Sequence, residues 1–475
     1  MIGFETNQTG FFQLKISNTK FCKMIRLVHR KQYTIAKNIR KLSHQNVQCK
    51  IAVVGAGPAG FYASQHLLKN VPHSTVDIYE ALPVPFGLVR YGVAPDHPEV
   101  KNCITTFNKV GSNDRVNFVG NTRLGQDVML SDLLANYHAV LCTYGVDKDR
   151  SLNIPGESLS GVVSARDLVS LYNGAPDSNT LHSTCLNTES VAIIGVGNVA
   201  LDVARLILAP VDSLRKTDVS DTWLQMRSES RVKRVVIIGR RGPLNVSFTI
   251  KELREMIKLK HVNTIMNEAD FNGVQEQLAT LERPRKRLTE LMLKSKSQGT
   301  NSEDQSWELK LWRTPNEILG KDSVTGLKIC NTRDSSISEI VECGLVVRSV
   351  GYSSSQADPQ LPWDSSKSVM ANKDGRAGPG LYTAGWLATG PRGVIIDTMN
   401  TAFKVASNIA SDLNGRNLEE KKGRIGLEKK LVKSTSWEDW EKIDKEEVRR
   451  GEIVGKSREK IVSPQEMIKI IKCSQ

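Results

Sequence analysis

Two glycine-rich loops constrain the fold of this chain more than any other feature of its sequence. The first, residues 55–60 (GAGPAG), follows an apolar run at 51–54, and the second, residues 195–200 (GVGNVA), follows another at 191–194. Such a loop lets the backbone approach a phosphate and places the N-terminus of the next helix against it. Because strand and helix patterns alternate along the chain, we expect an α/β fold with two Rossmann-like dinucleotide-binding domains.

The side chains that follow each loop indicate different ligands. Glu80 ends the apolar run after the first loop, where a carboxylate can accept hydrogen bonds from a ribose hydroxyl. The run after the second loop ends in Arg240 and Arg241, and an arginine pair can bind a 2′-phosphate. We therefore expect NADP(H) at the second site, with solvated surface arginines as the alternative. Because hydride chemistry needs a donor and an acceptor, we expect FAD at the first site.

The spacing of the second unit departs from the usual pattern. Arg240 lies 45 residues past Gly195, where about 20 is usual. The polar stretch 212–230 accounts for the excess if it is an insertion ahead of the strand. The arginine assignment therefore requires that this stretch lie outside the sheet.

The order of the two units predicts that the first domain is discontinuous. Further strand patterns at 344–350 and 380–384 follow the second unit. We therefore expect an NADP-binding domain at 148–345, inserted between two parts of the FAD-binding domain. These parts are 49–147 and 346–475, and the second also carries C-terminal helices.

The N-terminal segment differs from the rest of the chain in charge. Residues 1–50 contain ten Lys or Arg and one acid, so they supply +9 of the net charge of +14. A basic, acid-poor N-terminus predicts a mitochondrial targeting segment, here residues 1–48, and the pattern after Met24 suits an amphipathic leader better than the residues after Met1. This pattern makes Met24 an alternative start of translation. The alternatives to targeting are a disordered basic tail and a nucleic-acid-binding arm.

The composition argues against several other classes of protein. No apolar run approaches the roughly eighteen residues of a membrane-spanning helix, so we expect no transmembrane segment. The eight cysteines include no C-x-x-C pair, which argues against a zinc site, an iron–sulfur cluster or a redox disulfide in this chain. We therefore predict no bound metal and no nucleic-acid partner.

Two further segments are candidates for the neighbourhood of a ligand. Residues 83–98 carry too many Pro and Gly for regular structure, and we expect a rigid loop, either close to a ligand or purely structural. Residues 384–395 are expected to end a strand and begin a helix, whose N–H groups can stabilise negative charge on a reduced flavin. Trp386 in this segment can cover the flavin ring or belong to the core.

Several strings of the sequence resemble the adrenodoxin reductase family, the mitochondrial type of ferredoxin–NADP reductase. They span the chain from about residue 49 to its end and comprise 53–62, 84–102, 197–205, 239–243, 248–256, 283–288, 385–394, 437–442 and 464–467. The resemblance implies a flavoprotein that takes hydride from NADPH onto FAD and passes single electrons to a [2Fe–2S] ferredoxin. That ferredoxin would supply cytochrome P450, iron–sulfur cluster assembly or both. The expected location is the mitochondrial matrix, and peripheral association with the inner membrane is a further expectation.

The glycine motifs and the resemblance together imply a set of site residues. The positions expected to contact FAD are Gly55, Gly57, Ala59, Gly60, Glu80, Leu88, Leu124, Trp386, Gly393, Val394 and Ile395. The positions expected to contact NADP are Val196, Gly197, Asn198, Val199, Arg240, Arg241, Glu252 and Gly393. His97 and Asp202 match polar positions near the domain interface, so they are candidate catalytic residues for proton handling, with a structural hydrogen-bonding role as the alternative.

A basic cluster is the best candidate for the contact with an acidic ferredoxin. Residues 283–287 (RPRKR) carry four cations, and we assign the docking role to Arg283 and Arg287, with a solvated helix face as the alternative. Two other functions stay open at this point. A FAD- and NADPH-dependent monooxygenase would oxygenate a substrate without ferredoxin, and a non-catalytic NADP-sensing protein would bind NADP without oxidising NADPH.

Overall fold

Two six-stranded sheets carry the two glycine loops. The structure, a computed structural model, describes residues 47–176, 178, 185–295, 305–414 and 418–473. All elements named below lie in one compact unit, which comprises residues 49–417 and 421–475. The predicted targeting segment and the alternative start at Met24 lie outside the described residues, apart from positions 47 and 48.

The elements follow one another in a largely alternating order. The strands are β1 Cys49–Val54, β2 Ser74–Tyr79, β3 Val116–Val119, β4 Ala139–Cys142, β5 Lys148–Asp149, β6 Val162–Ser164, β7 Ser190–Ile194, β8 Arg234–Gly239, β9 Val262–Met266, β10 Gln305–Leu311, β11 Arg313–Gly320, β12 Val324–Asn331, β13 Ser338–Glu342, β14 Leu345–Arg348, β15 Tyr352–Ser353, β16 Trp363–Asp364, β17 Val369–Met370, β18 Arg376–Gly378 and β19 Leu381–Thr383. The α-helices are α1 Pro58–Asn70, α2 Gly87–Tyr91, α3 Ile104–Gly111, α4 Leu130–Asn136, α5 Ala165–Tyr172, α6 Asn198–Leu208, α7 Val211–Leu214, α8 Asp221–Ser228, α9 Ile250–Ile257, α10 Arg283–Ser295, α11 Trp386–Thr389, α12 Ile395–Leu413, α13 Trp437–Ile453 and α14 Pro464–Cys473.

The strand order places each glycine loop at the centre of a sheet. The first sheet has the order β18-β19-β4-β1-β2-β3, in which only β18 runs antiparallel to its neighbour. The second has the order β6-β14-β7-β8-β10-β9, and all its strands are parallel. β1 and β7 each lie where the strand order reverses, and ligands of doubly wound sheets bind at the carboxyl ends of such strands.

The predicted insertion of one dinucleotide-binding unit in the other is confirmed. The first sheet takes β1 to β4 from before the second sheet and β18 and β19 from after it. The predicted boundary at 345/346 would cut β14, which pairs only within the second sheet. The domain limits stay a prediction. In the structure, the last strand of the second sheet ends a few residues after the predicted boundary.

The sheets are buried because helices cover them. In β1, Ile51, Ala52 and Val53 are fully buried, as expected of a parallel strand with both faces covered. Helix α12 packs on α1, where the ring of Phe403 lies 5.9 Å from Tyr62 and 5.0 Å from His66. This contact holds the middle of the late helix α12 against α1, the helix that follows the first glycine loop. No helix in the described ranges is long and apolar enough to cross a membrane.

Three features differ from the sequence expectations. The loop at 83–98 contains a short helix, α2, although its Pro and Gly content predicts no regular structure. The polar composition of residues 295–306 predicts a surface loop, but β10 already begins at Gln305, and residues 296–304 lie outside the described part. A three-stranded antiparallel sheet, β11-β12-β13, lies beyond the second sheet and was not expected.

Candidate functional site

The glycines of the first loop have separate roles. Gly55 has a φ of +110°, which an L side chain rarely adopts, and its N–H donates to the carbonyl of Tyr79 at 2.7 Å. A Cβ on Gly60 would lie 2.1 Å from the carbonyl oxygen of Gly55, so α1 packs too closely on the loop for a side chain there. A Cβ on Gly57 would meet nothing within 4 Å among the described residues. The open position is therefore the one where a pyrophosphate can approach the N-terminus of α1.

The second loop repeats this construction. Gly195 has a φ of +129°, and its N–H donates to the carbonyl of Ile238 at 2.9 Å. In the part of the chain that the structure describes, a Cβ on Gly197 would meet nothing within 4 Å, whereas Ala200 is fully buried against the sheet. Neither α1 nor α6 has an acidic residue in its first turn. Both helix N-termini are therefore suited to an anion, and the residues at both loops fit a dinucleotide.

Glu80 supports the backbone of the first loop. Its carboxylate accepts hydrogen bonds from the N–H groups of Ala56 at 2.8 Å and Leu82 at 3.1 Å. Burial raises the pKa of this carboxyl, and the backbone donors offset part of that effect. Each oxygen keeps a lone pair for a further donor. The predicted ribose contact therefore stays a prediction, beside a structural role that the geometry shows directly.

The loop at 83–98 lies against the first glycine loop. Phe86 has a φ of +84°, rare for a residue with a side chain, and its N–H donates to the carbonyl of Ala56 at 2.8 Å. A Cβ on Gly87 would lie 3.3 Å from the Cα of Gly57. Leu88, the next residue, is 41% exposed. The strained turn therefore places Leu88, a predicted FAD contact, beside the first glycine loop with much of its side chain exposed.

The late segment 385–397 completes the surroundings of this loop. Gly385 has a φ of +68°, and a Cβ on it would lie 2.7 Å from the Cβ of Ala59. Trp386 donates from Nε1 to the carbonyl of Arg392 at 3.2 Å, so its ring is held within the segment. The first of these contacts brings Gly385 and Ala59 together from positions more than 300 residues apart.

The start of α12 combines a capped helix N-terminus with an exposed apolar side chain. Asp397 accepts from the N–H of Val394 at 2.9 Å, which caps the helix. Gly393 has a φ of +78°, and Val394 remains 48% exposed. Ile395 is half-buried, while Leu124 is only 5% exposed and packs in the core. The predicted FAD residues thus range from exposed to buried, and their individual contacts stay predictions.

The arginine pair lies beside the second loop. β7 and β8 are adjacent, and a Cβ on Gly239 would lie 2.7 Å from a methyl group of Val196. Arg240 and Arg241 follow Gly239 and are both exposed, and Arg241 donates to the hydroxyl of Ser247 at 3.1 Å. The polar stretch 212–230 lies outside the sheet as α7 and α8. The geometry needed for a 2′-phosphate site is therefore present.

The segment before α9 ties two other predicted NADP residues to this loop. Asn198 accepts from the N–H of Thr249 at 2.9 Å through its Oδ1. The hydroxyl of Thr249 donates to the carboxylate of Glu252, and burial raises the pKa of that carboxyl. Val199, next to Asn198, is half-buried. Glu252 is therefore linked to Asn198 through Thr249, and its contact with NADP stays a prediction.

His97 and Asp202 belong to one partly buried charge cluster, and no direct contact joins them. His97 Nε2 lies 2.6 Å from the carboxylate of Glu255. Arg205 lies 3.5 Å from Glu255 and 2.8 Å from Asp202, and it forms a two-fold hydrogen bond with Asp96. Burial raises the pKa of Asp202, and the nearby Arg205 guanidinium opposes this. The cluster joins the loop at 96–97 to α6 and α9.

The basic cluster at 283–287 begins helix α10. Arg283 and Arg287 are exposed and one turn apart, so they lie on one face of the helix. Arg285 points elsewhere, since it donates to the carbonyl of Val246 at 2.8 Å. The structure therefore presents the two arginines to which docking was assigned, and their role stays a prediction.

Some residues of these sites were not predicted. Glu255 and Arg205 connect His97 to Asp202, and Asp397 caps α12 beside the first loop. An acid in the first turn of a predicted helix can accept from the N-cap N–H, so the position of Asp397 could have indicated the last of these, although Val394 has no side-chain oxygen to complete a capping box. No local pattern indicates the pairing of His97 with Glu255, because they are 158 residues apart.

Comparisons with known proteins agree with this geometry. The model of the NAD(P)-binding Rossmann-like domain family matches residues 53–119. The mitochondrial NADPH:adrenodoxin oxidoreductase of Salvelinus fontinalis is 45% identical over 452 residues, which cover 89% of this chain and 91% of the relative. That of Homo sapiens is 44% identical over 459 residues, with 90% and 93% covered. The structure of Mycobacterium tuberculosis FprA in complex with NADPH has a TM-score of 0.85 and 33% identity, and covers 89% of this chain and 99% of FprA.

Proposed function

Because this chain belongs to the NADPH:adrenodoxin oxidoreductase family, we propose that it is a mitochondrial flavoenzyme that passes electrons from NADPH to a [2Fe–2S] ferredoxin. The observation that carries the proposal is the pair of glycine loops, each open at its second glycine and each at the centre of its own sheet. FAD, when bound, supplies the exchange between a two-electron hydride donor and a one-electron acceptor. The protein supplies binding and orientation.

The chain's own residues divide this work between the two loops. Gly57 and the N-terminus of α1 bind the pyrophosphate of the first dinucleotide, while Gly197 and α6 bind that of NADPH. Arg240 and Arg241 hold the 2′-phosphate and make the enzyme prefer NADPH over NADH. Positioning does most of the catalytic work, so no nucleophilic side chain is required.

The charge cluster at the domain junction handles protons and orientation. His97 Nε2 shares a hydrogen bond with the Glu255 carboxylate, which also faces Arg205. This arrangement can hold a proton at Nε2 beside the second dinucleotide-binding unit. Asp202, whose pKa is raised by burial, is a second proton holder in the same cluster. A purely structural role would leave the pH dependence of turnover unchanged in a His97→Gln variant.

The partner is an acidic [2Fe–2S] ferredoxin that docks on the exposed face of α10. Arg283 and Arg287 supply positive charge there, and complementary charge increases the rate of encounter. The ferredoxin supplies cytochrome P450, iron–sulfur cluster assembly or both. The location is the mitochondrial matrix, with peripheral association with the inner membrane.

Cofactor content and electron acceptors test the function directly. The purified full chain should show a flavin absorption spectrum, which NADPH bleaches at far lower concentration than NADH. It should reduce a [2Fe–2S] ferredoxin without oxygenating any added substrate. A colourless, folded protein that does not take up FAD would contradict the proposal.

Charge reversal tests the docking face. Arg283→Glu with Arg287→Glu should slow ferredoxin reduction by about tenfold or more at low salt and leave NADPH-to-dye reduction intact. Arg215→Glu with Lys216→Glu is the matched control, because these exposed residues follow α7 and change the net charge equally. Equal loss of both activities, or equal loss in the control, would reject the assignment.

A further inference from the structure

We propose that residues 421–433, called here the basic segment, form a docking surface for an anionic phospholipid bilayer. The segment comprises the 3₁₀ helix Gly423–Lys430 and the residues on either side of it. This inference rests on the membrane association in the proposed function and names the residues that would make the contact. It does not depend on the redox sites. Its failure is therefore distinguishable from a failure of electron transfer, which is measured in solution.

Two large aliphatic side chains protrude from the basic segment. Ile425 is 68% exposed and Val432 is 83% exposed, which are among the highest exposures of large apolar residues in the described part of the chain. Single exposed aliphatic residues are common on soluble proteins. Two of them among closely spaced cations form the combination that binds the interface of an anionic membrane.

The exposure belongs to a segment that is firmly held. Leu427 and Leu431 are 4% and 8% exposed and pack in the core of the first sheet. Lys421 donates to the carbonyl of Ala135 at 3.0 Å, and the N–H of Arg424 donates to the carboxylate of Asp77 at 3.2 Å. The segment therefore has a fixed buried side and a fixed exposed side, so it does not have to fold when it binds.

The charge of the segment is strongly positive. Residues 421–433 contain six Lys or Arg and one acid, Glu428. Lys430 pairs with Asp132 on α4. The remaining exposed cations have no acid within ion-pair distance in the described ranges, and they are Lys422, Arg424, Lys429 and Lys433. Four such charges next to exposed aliphatic groups are complementary to anionic headgroups over hydrocarbon.

The aliphatic residues favour a bilayer over an acidic protein as the occupant. An acidic ferredoxin would gain from the cations but would have to cover Ile425 and Val432 with apolar surface of its own. A bilayer accepts both, because cations stay at the headgroups while the side chains enter the acyl boundary. An interaction with ferredoxin is therefore treated as an outcome of the test.

Vesicle flotation of the full-chain holoenzyme tests the surface. We expect binding to phosphatidylcholine vesicles that contain phosphatidylglycerol, weakened by salt, and little binding to phosphatidylcholine alone. Lys429→Gln with Lys433→Gln should weaken partitioning about fivefold for each charge removed. Ile425→Ser with Val432→Ser should weaken it by about tenfold or more. Ile337→Ser with Ile340→Ser is the matched control, since these aliphatic residues are 53% and 60% exposed elsewhere.

A local probe separates the segment from the basic N-terminus, which can itself bind anionic vesicles. An environment-sensitive dye on Ile425→Cys, with Cys22→Ser to remove the thiol of the basic N-terminus and Cys473→Ser to remove an exposed thiol, should shift to the blue on addition of phosphatidylglycerol vesicles. The same dye on Ile340→Cys should not shift. Absence of a shift at position 425 would overturn the proposal, whatever the total binding. Slower ferredoxin reduction by the Lys429 and Lys433 variant without vesicles would assign the segment to ferredoxin and also overturn it.

Discussion

Replacement of Lys460 by methionine should remove a pH dependence of stability that this buried amine imposes. The Lys460 side chain is 2% exposed, and its Nζ lies 2.8 Å from the carboxylate of Asp218, which also binds Lys101 at 2.8 Å. Burial lowers the pKa of Lys460 to about 7, the cations Lys101 and Arg90 add to this, and Asp218 opposes it. Asp218 keeps Lys101 as its partner in the variant, so its carboxylate stays paired.

The size of the effect follows from the two pKa values of this amine. The pKa is about 7 in the folded protein against an ordinary value of 10.5. Between these limits the unfolded chain binds more protons than the folded one, so the free energy of unfolding rises with pH by about 1.4 kcal/mol per unit. From about pH 7.5 to about pH 9 the wild type should gain roughly 2 kcal/mol relative to Lys460→Met. Below pH 7 Lys460 is protonated in both the folded and the unfolded protein, so the full free-energy cost of burying its charge is present.

Urea unfolding of both proteins at several pH values measures this difference. The subtraction removes the pH dependence of all groups that the two proteins share. Lys469→Met, at an exposed lysine of α14, is the matched control and should differ from wild type by a constant amount. The reasoning would be refuted if the free energy of unfolding of the wild type, relative to that of Lys460→Met, stayed constant or fell as the pH rises.

Three further perturbations address the ligand sites and the core. Arg240→Ala or Arg241→Ala should raise the KM for NADPH by about 10- to 100-fold, since charge-assisted hydrogen bonds contribute about 1.5–3 kcal/mol, and steady-state kinetics should show an unchanged KM for NADH. Gly60→Ala should yield protein without flavin absorption, because its Cβ would lie 2.1 Å from a carbonyl oxygen of the same loop; normal FAD content would contradict this. Glu447→Gln should reduce the free energy of unfolding by about 3–5 kcal/mol, because the buried Arg90 loses its charged partner, and a loss below about 1 kcal/mol in urea would argue against that.

Regular elements with a strong local pattern were predicted closely. The sequence pattern at 395–413 predicts a helix, and α12 has those limits; the apolar run at 139–143 predicts a strand, and β4 is one residue shorter. β10 was missed because it alternates: Trp307, Leu309 and Leu311 are fully buried, whereas Glu308 and Lys310 lie between them. A continuous apolar run is the usual signal of a buried parallel strand, and β10 does not have one.

The helix in the loop at 83–98 was also missed, for a different reason. Its Pro and Gly residues argue against regular structure. Tertiary contacts overrode that preference, since the N–H of Phe86 is held by the carbonyl of Ala56 in a backbone conformation that is rare for phenylalanine. The energy that stabilises this turn comes from a neighbouring loop and has no local signature.

Local pattern was enough to establish two dinucleotide-binding units, the insertion of one in the other, and the opposite charges beyond the two glycine loops. These features depend on residues close in the chain, whose spacing reflects the helix and strand periods. The partners of buried charges could be known only from the fold. Lys101, Asp218 and Lys460 come from three separate segments, as do His97, Arg205 and Glu255. Hydrogen bonds act over about 3 Å, so which distant side chains meet depends on how the helices and loops pack.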